Sequence, residues 1–234
     1  MIIEKTGNIF TTECQTIVNT VNCVGVMGAG IAYEFRLREK DMFEKYKELC
    51  TDNKLDIGIL WMYKGAEKNI LNFPTKRDWR FPSKKEYLEK GLQKFVNTYK
   101  QKGITSIAFP ILGADRGGME PDISLKIMCR YLSGCDIDIE IWHFDPMAKD
   151  DLYSEFKSVF QEIDDQTIKN ESKIRIDIVK KIRRALDDKT INSLNRLLGV
   201  KGVGDRSLEN LFRYIQSYRN KHINLFNYDE EINA

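Results

Sequence analysis

The sequence predicts an α/β fold with a mostly parallel or mixed sheet covered by helices, followed by a small all-helical annex. Short apolar runs ended by Gly or Pro alternate with longer stretches of helical spacing. Two glycine-bearing loops each follow a strand-like run and precede a helix, as at the ligand end of an open α/β sheet. From about Asp164 the strand runs stop, and Lys, Arg, Asn and Leu at helical spacing continue to about Phe226. The expected division is an α/β domain over 1–163 and a basic helical annex over 164–234.

Taken in order, Ile17 to Val21 is short and β-branched, a strand. Ile31 to Leu49 sets Ile31, Phe35, Phe43, Tyr46 and Leu49 at roughly helical spacing, which predicts one helix laid on a sheet. "IGILWMY" (57–63) and "NILNFP" (69–74) are continuous apolar runs, the pattern of strands buried on both faces. Ser83 and Glu86 fit a capping box that opens a helix to about Lys102. "ITSIAFP" (104–110) is a further strand, Asp122 to Leu132 a further helix, and "IDIEIWHF" (137–144) a last, strongly alternating strand.

Composition excludes several classes. Hydrophobic residues make up 42% and charged residues 31%, with no apolar run long enough to span a bilayer, so no membrane partner is expected. "MIIEKTGNIF" carries Glu4 and Lys5 early and has no long apolar stretch, so it does not read as a signal peptide, and a cytoplasmic location is expected. The five cysteines are scattered without a C-x-x-C pair, and only two histidines accompany them. Reduced thiols, no zinc or other metal, and no cofactor are the expectation. Net charge is +2, but residues 165–227 carry 14 Lys or Arg against 7 Asp or Glu.

The loops "NTVNCVGVMGAGIA" (19–32) and "PILGADRGGMEP" (110–121) carry the chemistry. Glycines let backbone N–H groups approach a phosphate, and the following helix presents a partial positive charge to it. One such loop fits neither the dinucleotide fingerprint nor a Walker loop and is equally a tight turn. Two of them above one sheet make a diphosphate ligand plausible.

"TGNIF", "VNTVNCVGVMGAGIAYEF", "NFPTK" and "PILGADRGG", in this order and spacing, resemble a macro domain, the ADP-ribose-binding α/β/α module, over roughly residues 1–160. "NTVNCVGVMGxGIA" with "NFPTKxxW" is similar to the DarG-type DNA ADP-ribosyl glycohydrolases, antitoxins that remove ADP-ribose placed on thymine by a DarT toxin. The resemblance implies that Asn8 and Ile9 meet the adenine. It implies that Gly28, Ala29, Gly30 and Ile31 line one diphosphate loop, and Gly113, Ala114, Asp115, Arg116 and Gly117 the other. Asn22 would bond the distal ribose, Thr75 would join the ADP-ribose site, and Lys76 would carry the glycohydrolase activity. Two departures stand out: "GADRGG" replaces the usual "GCGLGG", and the catalytic aspartate of glutamate-directed relatives falls at Gly117. A reader without turnover, or a hydrolase of a different ADP-ribose linkage, remains an alternative.

Cleavage of a ribose N-glycosidic bond develops positive charge on the sugar and negative charge on the departing base. Lys76 as an ammonium would stabilise the leaving base, a contribution on the order of 10²-fold. As a neutral amine it would instead attack the sugar. Arg77, Trp79, Arg80 and Phe81 mix cations with aromatics as a single-strand nucleic-acid surface does, and equally as rim packing does. Asp115 is a candidate to activate water, and equally a turn former. In the annex, "VKGVGDRSLENLF" (200–212) resembles a helix-hairpin-helix motif. That resemblance implies phosphate contact through Lys201, Gly202, Gly204 and Arg206, reinforced by Lys180, Lys181, Arg183 and Arg184. The same segment is also the pattern of an amphipathic pair packing on a partner.

Overall fold

One sheet of six strands organises the amino-terminal half: β1 (Ile2–Gly7), β2 (Thr16–Val21), β3 (Trp61–Lys64), β4 (Asn69–Pro74), β5 (Ser106–Pro110) and β6 (Asp138–Phe144). Their spatial order is β1-β6-β5-β2-β4-β3, parallel throughout except for β3, which runs antiparallel to β4 at one edge. This is a computed structural model that describes residues 1–65 and 67–232, with side chains as far as Lys221. The chain forms two compact units, Met1–Ala148 and Lys149–Ala234.

Helices cover both faces of the sheet, giving three layers. α1 (Gly30–Arg38) and α2 (Lys40–Thr51) bury Ala32, Phe35, Met42, Phe43 and Tyr46 against Ile17, Val21, Ile70 and Ala108. On the other face α3 (Lys85–Thr98) and α4 (Pro121–Leu132) bury Leu88, Leu92, Phe95, Met128 and Leu132 against Leu71, Phe73, Phe109 and Ile141. Because β2, β4 and β5 are parallel neighbours, the loops that leave their carboxyl ends meet above the middle of the sheet.

The structure corrects several expectations. The strand β1 was not foreseen: "IIEKTG" is short and half polar, and it becomes a strand by pairing with β6, Ile2 opposite Ile139. The single helix expected over 31–49 is two, broken at Glu39 (φ −127°, ψ 77°). Only residues 61–64 of the 57–63 apolar run and its continuation form a strand, and it is half-buried at the sheet edge. Gly58 at φ +86° turns the chain just before it, and the Ile59 amide closes that turn on the Asp56 carbonyl. The capping box is absent: Lys84 is the N-cap, and the Ser83 amide instead donates to the Gly117 carbonyl at 2.9 Å.

The second unit is helical: α5 (Asp151–Glu162), α6 (Asp165–Ser172), α7 (Ile176–Asp187), α8 (Leu194–Leu198) and α9 (Asp205–Ile232). Composition changes near 163, yet α5 groups with the helices that follow it. The Phe156 ring meets Phe160 at 5.6 Å and Phe212 of α9 at 6.3 Å between centroids. Asp150 caps α5 through the Tyr153 amide and also accepts from the Leu194 amide, which ties α8 to the start of the bundle. Arg183 turns inward to Asp165 at 2.6 Å and to the Ile163 carbonyl at 2.6 Å, so it does not join the exposed basic run.

Candidate functional site

β2 and β4 continue past their ends as a paired extension. The Thr75 amide donates to the Val21 carbonyl at 2.9 Å, and the Cys23 amide to the Arg77 carbonyl at 3.1 Å. This extension fixes the backbone of Lys76 between buried Thr75 and exposed Arg77. Beneath it, Asn19 and Asn72 are fully buried in register, and their side chains bond each other at 2.9 Å. Asn19 Nδ2 donates to Asn72 Oδ1 and Asn72 Nδ2 to the Trp61 carbonyl at 3.5 Å, while Asn19 Oδ1 is buried without a partner among the described residues.

Asn22 is turned into its own loop. Its Oδ1 accepts from the Val24 and Val26 amides at 3.0 and 3.3 Å, its Nδ2 donates to the Val26 carbonyl, and the Tyr46 hydroxyl lies 3.0 Å from Oδ1. One N–H of its amide remains for a further acceptor. Gly28, Ala29 and Gly30 lead from there into α1, with Gly30 at φ +59°. Ile31 follows in the first turn.

The second loop holds Gly113 at φ +68°, then Ala114, then the short turn Asp115–Gly117. Close approach explains two glycines: a Cβ on Gly113 would come 3.0 Å from Ser83 Cβ, and one on Gly117 would come 2.7 Å from Ser83 Oγ. The two loops meet, since a Cβ built on Gly30 would lie 3.7 Å from both Asp115 Oδ2 and Arg116 Cγ. Asp115 stands exposed at φ +45°, a left-handed conformation that costs a non-glycine residue about 1 kcal/mol.

Lys76 closes the site. Its Nζ donates to the Arg116 carbonyl and lies 3.5 Å from the Trp79 carbonyl. Burial lowers its pKa below the ordinary lysine value, and the charge of Asp115 opposes that shift. The neighbouring thiol of Cys23 is pushed up to about 12, chiefly by burial and then by Asp56, so it stays protonated.

The flanking cations are partly engaged. Arg77 pairs with Asp56 at 3.3 Å, and Arg80 holds Asp78, whose pKa it lowers to about 2. Trp79 and Phe81 are 56% and 64% exposed beside them. At the far rim Asn8 caps the turn Ile9–Thr11 through the Phe10 amide, and Ile9 is buried. Phe144, in register with Gly7, is 75% exposed there. Sequence reasoning missed it, although an aromatic ending a strand just before Asp-Pro was the available signal. Trp142 is buried, and His143 meets Glu4 at 2.9 Å.

In the second unit the turn 200–204 exposes Lys201, Gly202, Gly204 and Arg206 while burying Val203. Gly202 sits at φ +87°, and a Cβ there would lie 2.6 Å from Lys181 Nζ. Among the described residues no helix is long and apolar enough to cross a membrane.

The Macro domain family matches residues 18–128. A DNA ADP-ribosyl glycohydrolase of Mycobacterium tuberculosis is 35% identical over 147 residues, 61% of this chain and 42% of that protein. A DNA ADP-ribosyl transferase–DNA ADP-ribosyl glycohydrolase fusion protein of Thermosipho africanus is 34% identical over 58% of this chain and 40% of its own length. The chain thus spans about two fifths of the length of these curated relatives. Among solved structures, the T. africanus DarTG in complex with ADP-ribose aligns with a TM-score of 0.57 at 32% identity, over 60% of this chain and 42% of that one. The macrodomain of M. tuberculosis DarG aligns with a TM-score of 0.59 at 35% identity over 61% of this chain. Since the alignment takes in 97% of that macrodomain, the chain belongs to the macro domain family.

Proposed function

We propose that this protein is a hydrolase that removes ADP-ribose from a nucleobase, thymine, in single-stranded DNA, in an antitoxin or DNA-repair role in the cytoplasm. The observation that carries the reading is Lys76, whose Nζ is held at the carbonyl of Arg116 where the two glycine loops converge. Similarity to a DNA ADP-ribosyl glycohydrolase, 35% identical over 147 residues, supports it. The loops of Gly28–Ile31 and Gly113–Gly117 would take the diphosphate, Asn8 and Ile9 the adenine, and Thr75 and the remaining Asn22 N–H the distal ribose.

Water adds to the anomeric carbon as the base nitrogen departs with the bonding electrons, and the proton the water loses ends on the departed base. Two carbonyl acceptors and the charge of Asp115 favour an ammonium at Lys76, which then stabilises the leaving base rather than attacking the sugar. The annex would hold nucleic acid through Lys201, Gly202, Gly204 and Arg206, with Arg77, Trp79 and Arg80 near the base. The transferase fused to the T. africanus relative supports a cognate ADP-ribosyltransferase as partner.

The test is release of ADP-ribose from an ADP-ribosylated single-stranded oligonucleotide. Lys76→Ala should lower the rate by on the order of 10²-fold or more while calorimetric ADP-ribose binding survives. An unchanged rate removes Lys76 from the chemistry. One observation favours a second reading, a different ADP-ribose linkage: Asp115 and Arg116 set a carboxylate and a guanidinium over the first loop. Faster release from a glutamate or phosphate linkage than from thymine would select it, and binding with no release from any linkage would leave a reader.

A further inference from the structure

A groove of about 700 Å³ lies in the second unit between the end of α6 and one side of α9. The macro domain chemistry makes no use of it. Asn210, Arg213, Tyr214, Ser217, Tyr218 and Lys221 line it from α9, at steps of three and four that keep them on one face. The opposite face, Leu208, Leu211, Phe212 and Ile215, is buried in the bundle. Arg206, four residues before Asn210, is exposed on the groove face beside the glycine turn. From Arg206 to Lys221 this stripe runs about 22 Å, long enough for several nucleotides.

Its chemistry is mixed in a particular way. Tyr214 and Tyr218 are half-buried, with ring centroids 6.1 Å apart and planes at 52°. Burial, reinforced by the adjacent Glu171 carboxylate, pushes the Tyr214 phenol up to about 12, so the ring is neutral. Lys173, held left-handed at φ 62° at the end of α6, and Lys221 have no acidic partner among the described residues. Arg213 is held in place by Glu209 at 2.5 Å. Together with Arg206, four cations face three carboxylates, Asp164, Glu171 and Glu209. Asn170, Ser172, Asn210 and Ser217 add neutral donors and acceptors.

Aromatic faces interleaved with cations along an extended groove suit a strand whose bases are unstacked; a duplex keeps its base faces covered and leaves such rings unused. We propose that the α6–α9 groove binds single-stranded DNA, with bases stacking on Tyr214 and Tyr218 and phosphates meeting Arg206, Lys173, Arg213 and Lys221. The inference rests on the reading of a DNA-borne substrate and names the surface that holds the strand.

The experiment is fluorescence anisotropy of the full chain with a short unmodified oligothymidylate across a salt series. Tyr214→Ala with Tyr218→Ala should weaken binding roughly tenfold or more, while the corresponding Tyr→Phe pair binds as the wild type does. Lys173→Ser with Lys221→Ser should flatten the salt dependence, and a duplex of the same length should bind the wild type more weakly. Unchanged affinity in the alanine pair overturns the proposal, as does equal binding of duplex. If the alanine pair unfolds, an unchanged salt slope in the serine pair overturns it. Loss of release by Lys76→Ala with intact oligothymidylate binding tests the catalytic reading separately, and failure of one leaves the other standing.

Discussion

Lys76 is where one atom decides the chemistry. Its Nζ is surrounded by acceptors, the carbonyls of Arg116 and Trp79, with Asp115 near enough to raise its pKa against the lowering caused by burial. If the ammonium is the active form, release is full at neutral pH and falls as pH rises through a value below the ordinary 10.5. An amine nucleophile gives the opposite limb, with release rising over the same range. Asp115→Asn removes the charge that supports the ammonium, so the falling limb should move to lower pH; a limb that stays in place shows that Asp115 does not act on Lys76. The lysine was legible in sequence as a charge stranded after a buried strand. Its partner was not, because a backbone carbonyl 40 residues away leaves no side-chain signature. Asn22 was legible as a polar residue at a strand end, but its side chain is first of all the organiser of its own loop.

Among the elements, α3 shows how tightly the helices are laid on the sheet that positions Lys76. A Cβ on Gly91 would fall 2.2 Å from the Phe73 ring, inside β4, two residues before Thr75. Alanine gains up to about 1 kcal/mol of helix propensity over glycine, whereas overpacking a fully buried ring against a helix backbone costs about 1–3 kcal/mol. The clash should win: Gly91→Ala is expected to lower the thermal midpoint, read by differential scanning calorimetry, and a raised midpoint would show that Phe73 has room to move. Element type was readable wherever an apolar run decided it, as in β4, β5 and α4. It failed where tertiary pairing or a single backbone dihedral decided: β1 needs β6 beside it, α1 and α2 part at Glu39, and Gly58 shortens β3 to an edge strand. Ser83 had the spacing of a capping box, but its amide was claimed by Gly117 of the second loop.

At the scale of the whole chain, each unit has its own interior. The two clusters that sandwich the sheet are built entirely from residues 2–142, while Phe156, Phe160, Leu208, Leu211 and Phe212 are buried in the helical unit. The compositional change near 163 pointed to this division, but the helix before it carries the phenylalanines that α9 packs on, so the contact boundary falls at Ala148. A domain of that size buries roughly 68–70% of the surface its unfolded chain exposes, enough to stand alone. The protein ended at Ala148 should therefore melt in a single cooperative transition. It should bind ADP-ribose within about twofold of the full chain if the sheet unit carries the whole ADP-ribose site. Its affinity for unmodified oligothymidylate at low salt should fall sharply, because the tyrosine pair and the groove cations Lys173, Arg213 and Lys221 are removed with the helices. Calorimetry and anisotropy on the two proteins measure both quantities. A broad, non-cooperative melt would mean that the sheet unit depends on the helices after it, and undiminished oligothymidylate affinity would move the nucleic-acid surface to Arg77, Trp79 and Arg80.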